Sequence, residues 1–368
     1  MSKAAELANL IGNINAGGGG VNRNVIINGA MNVAQRGTSS TGIGASSGYF
    51  TCDRWKITTG NTAGRLTMTQ DSSAPSGFAN SIKLDCTTAD TSIAADEITI
   101  LGQSLEGQNV QAFAKGTSDA KPFVVSFYVK GNASATYVAE LFDHDNTRNI
   151  TQAFSVTTDW ARVELTFPAD TTGALDDDNA SSLTFQIWIH AGSTYSGGTF
   201  ADNTWGSVTQ ANRYAGSRTS FFDSTDRTFF ITGVQLEVGQ NPTEFEHEPF
   251  DVTLKKCYRY FVAYGGEKNY ECIVQGGQAQ TSTRCWMLFR INQMRAVPTL
   301  SHANIQLDRP GIGGHDVTSY TLNSASSSQA IFSYADVSSG LNANESYCLI
   351  GNGASDSGRG YVRLSAEL

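Results

Sequence analysis

Residues 229–261, FFITGVQLEVGQNPTEFEHEPFDVTLKKCYRYF, decide how this chain is read. Ile231, Val234, Leu236 and Val238 supply the apolar positions of a strand. Asp251 can then cap a short helix through Val252, Leu254, Lys255 and Tyr258 that ends near Phe261. Far upstream, residues 24–31 read NVIINGAM. Val25, Ile26 and Ile27 form an apolar run that stops at Asn28-Gly29, a pair suited to a tight turn because both tolerate positive φ. The two segments read as the first and last strands of one β-sandwich.

Between them the pattern is that of half-buried strands. Phe123, Val125, Phe127 and Val129 alternate with Val124, Ser126, Tyr128 and Lys130. Leu183, Phe185, Ile187 and Ile189 alternate in the same way with Thr184, Gln186, Trp188 and His190. Further strands are expected at 65–69, 81–85, 137–143 and 161–167, each bounded by Gly, Asn, Asp or Ser. This spacing fits a jelly-roll β-sandwich over residues 24–249. Residues 250–368 read as a short helix and a second, smaller β-sandwich, with strands near 271–274, 284–291, 330–334 and 347–350. The expected fold class is therefore all-β.

Residues 1–23 stand apart. Ser2 can cap a helix through Glu6, Gly12 can end it, and the glycines at 17–20 make a tether. Leu7, Leu10 and Ile11 share one side and are assigned to docking or oligomerisation, because so short a helix needs a partner to hold it. A disordered tail is the alternative.

Composition narrows the function classes. The chain has 368 residues, 40% hydrophobic and 16% charged, with 37 glycines, which suits short strands and many turns better than long amphipathic helices. A net charge of -9 without any basic run argues against a nucleic-acid partner. Six cysteines lie scattered without CxxC pairing, so no metal centre and no cofactor are expected. The thiols read as free and mostly buried, in a chain made in a reducing cytoplasm. No signal peptide is expected at the start, and no apolar run approaches the roughly 20 residues of a membrane span, so membrane insertion is not expected.

Several motifs resemble a family of phage virion proteins, chiefly tail fibres and their receptor-binding ends. In that family a strand ending in QLEVG is followed by a Pro-Thr-x-Phe-Glu turn and a helix carrying Cys-x-Arg-Tyr. Here Pro242, Thr243, Phe245 and Glu246, then Cys257, Arg259 and Tyr260, follow QLEVG in that order. The opening NVIINGAMNVAQRG with FTCDRW at 50–55, SFYVKGN at 126–132, and Arg295, Pro298 and Thr299 match as well. The resemblance covers most of residues 24–261 and the stretch 288–301. It implies a jelly roll like those of carbohydrate-binding modules, with Asp53, Arg54 and Trp55 packing the first strand down. It also implies a homotrimer, attachment to other virion proteins through the N-terminal segment, host cell-surface polysaccharide as partner, and the virion as location, on the tail or the capsid surface.

The site residues follow from sugar chemistry, in which aromatic faces stack on pyranose rings while polar groups read the hydroxyls. Tyr128 and Trp188 lie opposite the large apolar residues of their strands and would form a platform, with Gln186 and His190 beside them. The aromatic-rich stretch 190–222 adds Tyr195 and Trp205. Tyr128, Trp188, His190, Tyr195 and Trp205 are therefore the expected glycan-binding set, with packing under a loop or against another subunit as the competing role. Residues 292–295, 310–316 and 351–360 form a second candidate surface.

No enzyme is expected. The acidic groups at Asp143, Asp145 and 176–178 read as hydrated turns, with a weakly bound calcium ion as the alternative; no Gly-x-Ser-x-Gly elbow is present, and no Cys-His signature stands out. The reading is a phage tail fibre or receptor-binding protein. A capsid decoration or head fibre protein and a polysaccharide depolymerase are the alternatives.

Overall fold

The computed structural model describes residues 2–15, 22–352 and 359–368. The expected glycine tether at 17–20, and residues 353–358 of the expected C-terminal turn, lie outside the described residues. The protein is almost wholly β-structure and divides into two units, Met1–Thr253 with Leu368 and Leu254–Glu367. Among the described residues no helix is long and apolar enough to cross a membrane.

The first unit is a sandwich of two antiparallel sheets. Its strands are β1 (Ser39–Ile43), β2 (Gly48–Tyr49), β3 (Lys56–Gly60), β4 (Arg65–Asp71), β5 (Ser81–Thr88), β6 (Ile98–Glu106), β7 (Phe123–Gly131), β8 (Ala135–Asp143), β9 (Arg148–Val156), β10 (Ala161–Phe167), β11 (Ser181–Ala191), β12 (Gly206–Ser207) and β13 (Thr228–Val238). Six pair in the order β1-β4-β5-β13-β7-β10 and seven in the order β12-β9-β8-β11-β6-β3-β2. The period of two along β7 and β11 sends Phe123, Phe127, Phe185 and Ile187 into one shared core.

Residues 24–31 are not a ladder strand, contrary to expectation. Asn28 and Met31 adopt φ of 59° and 58°, which breaks the extended run. The segment is instead held singly. The Val25 amide donates to Leu236 O and the Val234 amide to Gly29 O, both at 3.0 Å. The buried Gln103 side chain bonds both the amide and the carbonyl of Ile27 at 2.8 Å, standing in for a neighbouring strand. Gly29 is required there, since a Cβ would lie 2.1 Å from Val234 O.

The two diagnostic sequence segments are one hydrogen-bonded unit. Glu246 accepts the amides of Asn22 and Asn24, Asn24 Oδ1 accepts those of Ile26 and Leu236, and Gln235 Oε1 accepts that of Glu246. Thr243 bonds the buried Glu237 through both amide and hydroxyl. The QLEVG and Pro-Thr-x-Phe-Glu residues thus clasp the opening of the chain to β13. Trp55 is fully buried, with its indole N–H on Asn28 O at 3.2 Å. Arg54 is buried at φ 74° and bonds Ser104 O at 2.7 Å.

Helix α1 (Lys3–Asn15) begins as expected, with the Ala5 amide on Ser2 Oγ at 3.3 Å, but runs through Gly12. Leu7 and Ile11 are 57% and 49% exposed; Leu10 lies in the helix with its side chain outside the described residues. Two further helices are α2 (Ser193–Ser196) and α3 (Phe250–Tyr258).

The second unit holds β14 (Phe261–Gly265), β15 (Cys272–Ala279), β16 (Arg284–Arg290), β17 (Thr299–Ala303), β18 (Ile305–Arg309), β19 (Gly313–Leu322), β20 (Ala330–Val337), β21 (Ser346–Gly351) and β22 (Tyr361–Ser365). Its main part is a closed barrel, β15-β16-β20-β19-β18-β21, rather than a second open sandwich, and β14-β22-β17 form a small sheet. The Cys-x-Arg-Tyr and Met-Arg motifs meet here: the Arg295 amide donates to Arg259 O, and Arg295 Nε to Ala366 O.

None of the six cysteines is disulfide-bonded. Cys52, Cys86, Cys257 and Cys285 are buried, Cys348 is half-buried and Cys272 exposed. Burial pushes the thiol of Cys86 up to about 11 and that of Cys285 up to about 12.

Candidate functional site

A groove of about 310 Å³ crosses the outer face of the seven-stranded sheet. Its floor follows from register. Lys56 and Thr58 of β3 pair with Gly102 and Ile100 of β6, which in turn pair with Gln186 and Trp188 of β11. Gln186 and Thr184 pair onward with Glu140 and Phe142 of β8. Every second residue faces outward, so one row of side chains spans four strands. Gly102 lies at the centre, where a Cβ would come 2.9 Å from Phe185 O, so the floor dips there. Tyr195 of α2, Gln210 and Arg213 form the wall.

The floor is buttressed by one buried carboxylate. Glu140 has no exposure and accepts Arg213 Nε at 2.9 Å and Nη2 at 2.8 Å. It also accepts Trp188 Nε1 at 2.6 Å, Gln186 Nε2 at 2.9 Å and Asn149 Nδ2 at 2.6 Å. The Arg213 guanidinium lies 4.5 Å from the Trp188 ring centroid and 4.9 Å from that of Phe142. Arg213 and Glu140 thus neutralise each other below the groove.

Among the described residues the accessible chemistry is hydroxyl-rich, with one cation, Lys56, and no anion. His144 Nε2 meets Thr184 Oγ1 at 2.7 Å, and Thr184 meets Ser104 Oγ at 2.9 Å, giving a polar chain beside apolar Ile98 and Ile100. Loss of hydration lowers the His144 pKa, which favours the neutral ring. Lys56 makes no ion pair among the described residues. None of the side chains lining the groove is a carboxylate.

The structure separates the five residues expected to bind glycan. Trp188 and Tyr195 both line the groove, with ring centroids 5.4 Å apart. Trp188 is fully buried against Arg213, Tyr195 and Tyr214, however, so it shapes the wall from beneath and offers no open stacking platform. Tyr128 lies on the other sheet, packed on Phe78. Trp205 covers Lys115 and bonds Pro168 O. His190 is buried next to Glu97 and Ser220. Asp143, read as a hydrated turn, is buried on Lys115 at 2.5 Å, whereas Asp145 and 176–178 are exposed.

The second candidate surface also changes. Met294 is buried, and residues 313–316 begin β19. Lys56, Thr58, Ile100, Ser104, Phe142 and Arg213 were not anticipated at the groove. One legible sign was β6, whose outward side reads Ile98, Ile100, Gly102 and Ser104 without a charge.

A scan of protein families finds none that matches, and no curated protein matches either. Among solved structures, a family 11 carbohydrate-binding module from Clostridium thermocellum, in complex with a β-1,3-1,4-mixed-linked tetrasaccharide, is similar at 12% identity over 57% of this chain and 98% of that one, with a TM-score of 0.27. A family 30 carbohydrate-binding module is 13% identical over 62% of this chain and 91% of that one, at a TM-score of 0.29. The enzymatically active domain of tailspike protein 4 of bacteriophage CBA120 is 13% identical over 59% of this chain and 21% of that one, also at 0.29. What the groove does is decided by its own residues.

Proposed function

We propose that the groove on the seven-stranded sheet binds a glycan without cleaving it, and that the protein is a phage virion protein, a tail fibre or receptor-binding protein, that attaches to host surface polysaccharide. The groove's lining carries this reading: a floor of hydroxyls, an amide and apolar side chains with Lys56 at one side and Tyr195 on the wall, a mixture that suits a sugar's alternating polar and apolar faces. Cleavage would require two carboxylates about 5–10 Å apart across the bond, and the lining offers none. The motifs shared with phage tail fibres supply the biological setting. The exposed Leu7 and Ile11 of α1 suit docking to another virion protein. A homotrimer would turn weak single-site contacts into firm attachment.

The test is binding of the full-length protein to a panel of host polysaccharides. Tyr195→Ala and Gln186→Ala are expected to weaken binding by about tenfold or more each, at about 1.4 kcal/mol per tenfold. Tyr128→Ala and Trp205→Ala, which alter other surfaces, are expected to bind as wild type if folded. Equal binding by all four variants sinks the assignment to this groove, and release of reducing ends sinks the non-enzymatic reading.

A further inference from the structure

Three residues that the groove does not use converge elsewhere in the sandwich. Asp90 follows β5, Glu97 precedes β6 and His190 lies near the end of β11. They are 5%, 3% and 0% exposed, and one donor atom from each lies within 4.8 Å of the others. Glu97 Oε2 is 3.0 Å from His190 Nε2, while Oε1 accepts the Ala94 amide at 2.8 Å. Asp90 takes the Thr62 hydroxyl and the amides of Ala63 and Gly64 on Oδ2, and its carboxyl group also lies within hydrogen-bonding reach of the Glu97 carboxyl.

The charges do not balance. Among the described residues no lysine or arginine makes an ion pair with Asp90 or Glu97. Among the described residues the one basic side chain paired with them is His190 itself. Two buried carboxyl groups this close are costly to keep ionised unless a proton or a metal cation sits between them.

We propose that Asp90, Glu97 and Nε2 of His190 form a binding site for one divalent first-row transition-metal ion. One imidazole and two carboxylates are a donor set for zinc or manganese; calcium prefers oxygen alone. An ion with bonds of about 2.1 Å holds tetrahedral ligands about 3.4 Å apart, so the three groups need only small adjustments to close on it. His190 Nδ1 lies 2.8 Å from Ser220 Oγ, which orients the ring with Nε2 toward the carboxylates. The ion would pin the connection from β5 to β6, which crosses from one sheet to the other, onto β11. Binding requires ionised carboxylates and a neutral ring, so it weakens in acid. The ligands lie too far apart in sequence to form a spacing motif, which is why a centre sought among close Cys and His pairs was not expected.

The test uses untagged full-length protein carrying Cys272→Ser and Cys348→Ser, because those two thiols lie together and would take zinc themselves. After chelation and gel filtration, one equivalent of zinc is added. Retained metal is measured by mass spectrometry and unfolding by calorimetry. The expected result is about one zinc per chain and a Tm raised by about 5 °C or more, both lost in Glu97→Gln and Asp90→Asn. If a variant fails to fold, a chelator lowering the Tm of zinc-loaded parent protein supports the site in its place. Failure to retain zinc with an unchanged Tm overturns the proposal. So does equal retention in both folded variants, or a larger shift with calcium than with zinc.

Discussion

At the scale of single residues, Glu140 decides the shape of the groove. Five donor atoms from four side chains converge on it directly, and Arg213 is itself largely buried. Removing one member of such a pair strands the other charge. Glu140→Ala is therefore expected to cost about 3–5 kcal/mol in urea unfolding and to abolish polysaccharide binding, whereas a loss under about 1 kcal/mol would mean that Arg213 finds solvent. This pair was not legible in the sequence. Alternation along β11 placed Trp188 and Gln186 outward correctly, but Trp188 is covered by Arg213 and Tyr214, which arrive from a loop more than twenty residues on. Local periodicity reports which side of a strand a residue is on, and says nothing about what later folds over it.

At the scale of elements, strands with strict alternation were readable, because a period of two with one buried face permits little else. The opening segment was misread, since an apolar run of three looks the same whether it pairs in a ladder or is held by side chains. The same limit applies to Lys115, which links three strand ends. It is buried at 2.5 Å from Asp143 and 3.1 Å from Asp170, and Arg148 bonds Asp170 through two nitrogens. Burial alone would raise the Asp170 carboxyl, but bonds from Arg148, the Thr172 amide and Lys115 outweigh it and hold the pKa below the usual carboxylate value. The native state then favours the ionised form. Its stabilisation is complete above the unfolded pKa of about 4 and is lost as pH falls through the lower folded value. Asp170→Asn should be less stable than wild type at pH 7, and the difference should shrink as pH falls below about 4 in unfolding titrations. A gap that widened in acid would contradict the assignment.

For the whole molecule, the two units have separate hydrophobic cores: one runs through the sandwich, and others through the barrel and its small sheet. All-β structure in two parts was legible, but barrel closure was not. Sandwich and barrel strands share one period, and closure depends on β15 pairing with β16 on one side and β21 on the other. Residues 22–253 expressed alone should fold and unfold in one cooperative transition, with polysaccharide affinity within about threefold of the full chain. A non-cooperative melt would show that the sandwich depends on the second unit.

The distribution of thiols has a practical consequence. Both cysteines of the sandwich, Cys52 and Cys86, are sealed in its core, while Cys272 lies exposed on the barrel. A maleimide dye or biotin handle will therefore attach to the barrel unit and spare the sandwich, so the native chain carries its own anchor point for immobilisation or single-particle labelling with no engineered residue.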